Sequence, residues 1–180
     1  MKKTNNLLQS KSSTAQCVWA LANSYSVAAD QLLQNPAPQV FIPALYLLAH
    51  SLELHFKAFL ISKGIEEKKL KNHEVGHNLT SCLKLCKKHG LYNYLSFSLS
   101  QARQIIKINR YYQEKQLEYF TASAKQFGSI EYFQEIVSQT SKAIFNPITD
   151  EDFYALSKMQ PNPSIKRDAE LALMSNVEVI

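Results

Sequence analysis

Apolar side chains recur at alternating spacings of four and three residues along most of this chain, which is the period of an α-helix. The first such segment runs from about Thr14 to Gln34 and places on one face Val18, Ala22, Tyr25, Ala29 and Leu32. The prolines in the stretch 35–38 end it, because proline cannot continue the helical hydrogen-bond ladder. No alternating β-strand pattern of useful length is present, so the chain is predicted to be all-α.

Four further helices are predicted. The second runs from about Pro43 to Gly64 and is apolar over much of its circumference, which suits the central helix of a bundle. A charged, solvated connection follows at 65–76, and the other helices cover about 78–89, 92–122 and 129–145, with Pro147 beyond the last. The chain has only four glycines and six prolines for turns. These features predict an up-and-down helical bundle of about five helices.

The ends of the chain differ from its middle. Residues 1–12 are polar and are predicted to be a flexible N-terminus, residues 13–146 form the bundle, and residues 147–180 form a tail that is partly helical or disordered. The segment 161–169 resembles the peptide that results when a reading frame runs into the recombination site of an integron gene cassette. That resemblance implies that the last segment carries no function; the alternative is an ordinary helical tail docked on the bundle.

Charge and cysteine content limit the binding partners and the cellular compartment that the sequence suggests. A formal charge of +5 and a pI near 9.0 permit an acidic partner such as RNA without requiring one. Three cysteines argue against a disulfide framework and favour a reducing compartment. No apolar run follows the basic N-terminal residues, as it would in a secretory signal, so we expect a cytoplasmic protein. The apolar stretch 41–62 contains His50, Glu53, His55 and Lys57, which are costly in lipid. We therefore expect a buried helix and no membrane partner.

Residues 73–77 read His-Glu-Val-Gly-His, which is the zinc-binding box of metallopeptidases. On a helix, His73 and His77 would ligate zinc and Glu74 would activate its water. The residues before the box are charged, however, and the positions of the glycine and third histidine of the metzincin pattern hold Thr80 and Leu83. We therefore expect no cofactor, and a zinc-dependent hydrolase is the alternative.

A second metal-ligand set is present at Cys82, Cys86 and His89, at i, i+4 and i+7. We prefer to interpret the two cysteines as small apolar residues in one stripe with Leu79 and Leu83, and His89 as part of the helix end.

The second and third helices together carry a longer pattern. Glu53 is followed four residues later by Lys57 and then by Ala58, the helix closes at Gly64, and the next helix starts with His77-Asn78-Leu79. The fourth helix adds Asn109 and Tyr112 within the segment 108–112. Over about residues 15–140 this pattern resembles the HEPN superfamily (higher eukaryotes and prokaryotes nucleotide-binding domain). The resemblance implies a helical bundle that pairs through its helices, and hence a homodimer.

The same resemblance argues against RNA cleavage. The ribonuclease members of the superfamily carry an arginine followed, four to six residues later, by a histidine, whereas here the last histidine, His89, precedes the first arginine, Arg103. We therefore expect no catalytic residues. The predicted function is a non-catalytic interaction or nucleic-acid-binding module, such as an accessory or antitoxin-like component of a bacterial defence or toxin–antitoxin system. Its partners would be RNA, a nucleotide or another protein, and a divergent HEPN ribonuclease is a further alternative.

One basic stripe could contact nucleic acid. Arg103, Lys107 and Arg110 lie at i, i+4 and i+7 on the fourth helix, off its apolar face, with Tyr111 beside them. The cations could bind phosphate and the tyrosine could stack a base. The alternative is a solvated helix flank, balanced by Glu114 further along the same stripe.

Overall fold

The computed structural model describes residues 2–34, 37–72, 75–119 and 126–157, with the backbone alone described at 2–14 and 150–157. In these ranges the chain is all-α, as predicted, and contains six α-helices and no β-strand. The α-helices are α1 (Lys2–Gln34), α2 (Phe41–Ser62), α3 (Glu67–Leu70), α4 (Leu79–Lys88), α5 (Leu99–Gln113) and α6 (Ile130–Ser157). Short 3-10 helices precede α2 at Pro38–Val40 and follow α4 at Leu91–Asn93.

Helix α2 is the centre of the bundle, and it packs against α1, α4, α5 and α6. The predicted face of α1 is the one that meets the core: Ala22 and Ala29 are fully buried. Small side chains there let the α1 backbone come close, so that the Ser51 hydroxyl of α2 donates a hydrogen bond to the Ala22 carbonyl at 2.8 Å. The Trp19 indole joins α1 to α6 by donating to the Ser141 carbonyl at 3.2 Å.

The end of α2 follows from the glycine that the sequence places there. Gly64 has φ 80°, a left-handed conformation that favours glycine. Its N–H donates to the Ile61 carbonyl at 2.9 Å, and the Ile65 N–H donates to the Leu60 carbonyl at 3.0 Å. This pair of bonds is a Schellman motif, which satisfies the last carbonyls of the helix. The segment Pro38–Ser62 is long and apolar enough to cross a membrane by length and composition, but 72% of its apolar window is buried within the bundle.

Several helix boundaries differ from the predictions. Helix α1 begins at Lys2 rather than near Thr14, and the predicted connection 65–76 contains the short helix α3, whose Leu70 is buried. The predicted helix 92–122 is shorter, because the capping box of Ser98 and Gln101 starts α5 at Leu99 and the turn 114–118 ends it. Residues 120–125 lie outside the described ranges.

Helix α6 also continues beyond its predicted end, because Pro147 lies inside it. A proline's fixed φ is compatible with a helix, but its missing N–H removes the hydrogen bond to the Ala143 carbonyl, and its ring crowds that same carbonyl. The Thr149 hydroxyl, 3.1 Å from the carbonyl oxygens of both Phe145 and Asn146, donates toward this weakened turn. The helix therefore crosses the predicted boundary between bundle and tail at 146, while the integron-like segment 161–169 lies outside the described residues.

Candidate functional site

A buried carboxylate organises the polar centre of the bundle. The Glu53 side chain, on α2, is only 1% exposed. Lys57, one helical turn later, forms an ion pair with Glu53 Oε1, and the Tyr112 hydroxyl from α5 donates to Glu53 Oε2. A buried charge is tolerated when it is paired and hydrogen-bonded in this way. The predicted pairing of Glu53 with Lys57 is therefore confirmed, and Tyr112 joins it from a distant part of the chain.

His77 reaches the same carboxylate from the connection before α4. Its Nδ1 lies 3.2 Å from Glu53 Oε2. The backbone at His77 is left-handed, with φ 55°, and residues 75–77 form a turn. The ring also packs edge-to-face on Tyr112, with ring centroids 6.0 Å apart. His77 thus belongs to the turn that leads into α4, and it links that turn to α2.

His50 completes the cluster, although it belongs to none of the motifs in the sequence. It lies on α2 one turn before Glu53, and its Nδ1 is 2.8 Å from the Tyr112 hydroxyl. Because that hydroxyl gives its proton to Glu53, it accepts a hydrogen bond from His50 Nδ1–H. The His50 ring is stacked on Tyr46 at 6.0 Å and meets Tyr25 edge-on at 4.6 Å. A histidine three residues before a buried glutamate on a helix was the signal available for finding it.

Burial and partners shift the protonation equilibria in opposite directions. Burial alone would raise the pKa of Glu53, but the charge and hydrogen bond of Lys57, the Tyr112 hydroxyl and His77 outweigh it and lower that pKa. Burial lowers the pKa of His50, which keeps the imidazole neutral near pH 7. Burial and the Glu53 charge raise the pKa of Tyr112, so the phenol keeps its proton and donates. At neutral pH the cluster is a charged Glu53–Lys57 pair with neutral His50 and Tyr112 around it.

Two asparagines extend the cluster along the α4–α5 contact. The Asn78 side chain caps α4 by accepting from the Ser81 N–H at 2.9 Å, as its place before an apolar run predicts. The Asn109 side chain accepts from the buried Leu79 N–H at 2.7 Å, and its amide nitrogen lies 3.4 Å from the Asn78 side-chain oxygen. Six residues of the HEPN-like pattern, Glu53, Lys57, His77, Asn78, Asn109 and Tyr112, therefore form two hydrogen-bonded groups that the His77–Asn78 peptide bond joins.

An open cleft of about 400 Å³ adjoins the exposed side of His77. Its polar lining includes Lys71, Asn78, Gln113 and Lys115. The His77 side chain is 51% exposed, whereas Glu53 behind it is buried. The cluster is thus accessible from solvent through His77.

The two metal-ligand patterns seen in the sequence fare differently. His73 and Glu74 lie outside the described residues, and His77 is in a turn rather than on the helix that the box requires. Cys82 and Cys86 are buried, and their thiols lie 3.3 Å from the Val75 carbonyl and 3.4 Å from the Phe56 carbonyl. Burial raises the pKa of the Cys82 thiol to about 12 and raises that of Cys86 well above its ordinary value, as expected for core cysteines.

The predicted basic stripe lies on the outward side of α5. Arg103 and Arg110 are exposed, and Lys107 is half-buried. Tyr111 is packed on Phe127, with centroids 4.8 Å apart, and its hydroxyl accepts from the Gln126 N–H, so one face of its ring is committed to the bundle. Ile106 is 47% exposed, and Leu99 is 67% exposed. At 100° per residue, Leu99, Arg103, Ile106 and Arg110 fall within an arc of about 60°.

Together these features define an all-α bundle with two notable sites. One is a carboxylate–histidine cluster whose Glu53 is buried and whose His77 is accessible to solvent, and the other is a separate basic and apolar face of α5. Comparison of the chain with protein-family models, with curated proteins and with solved structures finds no match in any of the three. The resemblance to the HEPN superfamily therefore rests on the sequence motifs given above and stays a prediction.

Proposed function

We propose that this chain is a non-catalytic, HEPN-like module that binds single-stranded RNA through the outward face of α5. The observation that carries the proposal is the alternation of exposed arginine and exposed aliphatic side chains along that face. Arg103 and Arg110 can contact phosphates, while Leu99 and Ile106 offer apolar surface to unstacked bases. Helix α5 is anchored from behind by Ile105, Ile108 and Tyr112, so the face is presented on a rigid element.

The module would act by binding alone. Every histidine in the sequence precedes the first arginine. The chain therefore lacks the arginine–histidine pair of the RNA-cleaving HEPN proteins. An accessory or antitoxin-like role in a bacterial defence system fits a binding module of this size, and we place it in the cytoplasm. Two copies would pair through their helices, which predicts a species of twice 20.5 kDa in light scattering.

Fluorescence anisotropy with a labelled single-stranded RNA oligonucleotide tests the RNA proposal. We expect the double variant Arg103→Ala, Arg110→Ala to bind about tenfold more weakly. Because each phosphate contact on a single strand contributes about −0.7 to the slope of log K against log salt, the slope should become shallower by about 1.4.

A matched control removes the same charge elsewhere. Lys84→Ala with Lys88→Ala takes two exposed cations from α4 and should leave affinity nearly unchanged. Equal losses of RNA affinity in both double variants would show that net charge alone causes the effect, and would contradict a binding site on α5. Absence of RNA binding with capture of a protein partner through Leu99 and Ile106 would make α5 a protein-binding face instead.

A further inference from the structure

The backbone of His77 is held in a conformation that is uncommon for a residue with a side chain. Such conformations cost free energy and persist where surrounding contacts hold them, which is frequently at binding sites. At His77 the holding contacts are Glu53 and the Tyr112 ring. The imidazole is nevertheless half exposed and borders the cleft described above. The turn therefore directs a solvent-accessible nitrogen ligand at a buried carboxylate.

His50 supplies a second nitrogen on the other side of that carboxylate. Glu53 Oε2 lies 3.2 Å from His77 Nδ1 and 3.9 Å from His50 Nδ1, and the three ligand atoms all lie within 4.8 Å of one another. Ligand atoms about 2.0–2.1 Å from a tetrahedral zinc ion are separated by about 3.4 Å. The separation of Glu53 Oε2 from His77 Nδ1 is close to this value, and the other two separations exceed it by no more than about 1.4 Å, so side-chain adjustments of that size would bring all three atoms to bonding distance.

The protons on the two imidazoles do not block metal binding. Without metal, Nδ1–H of His50 donates to Tyr112, and His77 Nδ1–H donates to Glu53. A neutral imidazole can carry its proton on the other ring nitrogen, which frees Nδ1 as a ligand. The Tyr112 oxygen is within hydrogen-bond distance of two of the ligands and could supply a fourth ligand atom. Lys57 holds Glu53 Oε1 and leaves Oε2 directed at the histidines.

We infer that His50, Glu53 and His77 form a binding site for a divalent transition-metal ion, with Zn²⁺ the best match to two imidazoles and one carboxylate. The ion would connect α2 to the turn before α4. This site shares only His77 with the zinc box in the sequence, since its other two ligands come from a different helix. It is independent of the RNA-binding face on α5.

The Lys57 charge gives the site a distinctive property. An ammonium group paired with one carboxylate oxygen repels a cation bound at the other oxygen. Lys57→Met removes this repulsion and leaves the buried Glu53 carboxylate without its neutralising charge, so that a bound cation stabilises it more. We expect that variant to bind Zn²⁺ at least about tenfold more tightly, which corresponds to about 1.4 kcal/mol. A purely structural Glu53–Lys57 pair would not produce this gain.

The test is calorimetric titration of the metal-free full-length chain with Zn²⁺, and absorption spectroscopy with Co²⁺ as a reporter of ligand geometry. We expect one ion per chain. His50→Phe keeps the ring packing, Glu53→Gln keeps the side-chain shape, and His77→Asn keeps a residue that tolerates left-handed backbone. Each should weaken binding at least about tenfold, because even residues that only support metal ligands contribute that much.

His73→Ala, Glu74→Gln and His89→Ala are the controls, and each should leave the affinity unchanged. Loss of binding in His73→Ala with no change in His50→Phe would assign the ion to the sequence box and overturn the inference. One ion bound equally by the wild type and all three ligand variants would be adventitious and would also overturn it. Circular dichroism verifies that each variant is folded. Because the His77 side chain is half exposed, the His77→Asn variant should fold and remain informative even if Glu53→Gln unfolds. The Arg103, Arg110 double variant should bind Zn²⁺ normally, which separates this test from that of RNA binding.

Discussion

Glu53 and His55 are two residues apart on α2, both are buried, and their environments have opposite effects on charge. Glu53 stays ionised because Lys57, Tyr112 and His77 surround it. Among the described residues, no charged group pairs with His55: its Nε2–H donates to the Asn23 side-chain oxygen at 3.3 Å, and burial lowers its pKa to about 4. At the residue scale, the partners within reach decide which ionisable groups keep their charge.

The pKa of His55 makes stability depend on pH. The unfolded chain takes up a proton at His55 near pH 6.5, whereas the folded chain resists it until about pH 4. Stability from this group is therefore complete above pH 6.5 and is lost as the pH falls toward 4, by about 3 kcal/mol. Nuclear magnetic resonance titration should find the His55 ring titrating near 4.

Urea unfolding at several pH values provides the second measurement. His55→Gln should flatten the profile between pH 6.5 and 4 relative to the wild type, although His50, whose pKa burial also lowers, will leave part of the slope. A His55 ring that titrates near its ordinary value would contradict the buried neutral form.

At the element scale, α4 depends on its neighbours for its first turn. The first N–H groups of a helix have no partner within it. Asn78 supplies one acceptor locally, but the Leu79 N–H is buried and donates to the Asn109 side-chain oxygen of α5. Helix α5 has its own capping box and needs no such support. The start of α4, and the His77 turn before it, are therefore fixed by packing against α5.

Asn109→Leu tests this dependence. The substitution retains side-chain volume and removes the acceptor, which leaves a buried N–H unsatisfied, so we expect a loss of about 1–3 kcal/mol in urea unfolding. Amide hydrogen exchange at Leu79 should also accelerate. Gln113→Ala is the control, because it removes one acceptor of the Asn109 amide nitrogen and keeps the Leu79 bond; a change within about 0.5 kcal/mol is expected. Equal effects of the two variants would show that the Leu79 bond is not the source.

At the scale of the whole molecule, we expect α2 to make the described helices a single cooperative structure. It is buried along most of its length and packs against α1, α4, α5 and α6. The cluster around Glu53 lies where α2, the turn before α4 and α5 meet. Loss of packing on α2 should therefore be felt throughout the bundle and not in one helix alone.

Leu52→Ala creates a cavity in this central helix, since Leu52 is fully buried. We expect a loss of about 2–5 kcal/mol and a fall in melting temperature of more than about 5 °C for a chain of this size. Circular dichroism and tyrosine fluorescence should report the same transition. Leu99→Ala, at an exposed position, should change stability by less than about 0.5 kcal/mol. Separate transitions for the two probes would contradict a single cooperative bundle.

Local signals account for the elements that were predicted well. The apolar period, the Gly64 stop and the Asn78 cap are each encoded within a few residues, so α2 and α4 lie close to their predicted positions. The predicted helix ends were wrong for α5 and α6. Pro147 was predicted to lie beyond the last helix, but α6 continues through it, and the predicted helix 92–122 extended past both ends of α5.

The sequence by itself determined that this protein is helical, where its central helix lies, and that Glu53 pairs with Lys57, because each depends on neighbours one helical turn away. Only the tertiary structure decided the partner of His77. The local spacing suggested His73, whereas packing of the turn before α4 against α2 brings His77 to Glu53, twenty-four residues away in sequence, with His50 beside it. Contacts over such distances depend on how the helices pack together, which periodicity does not encode.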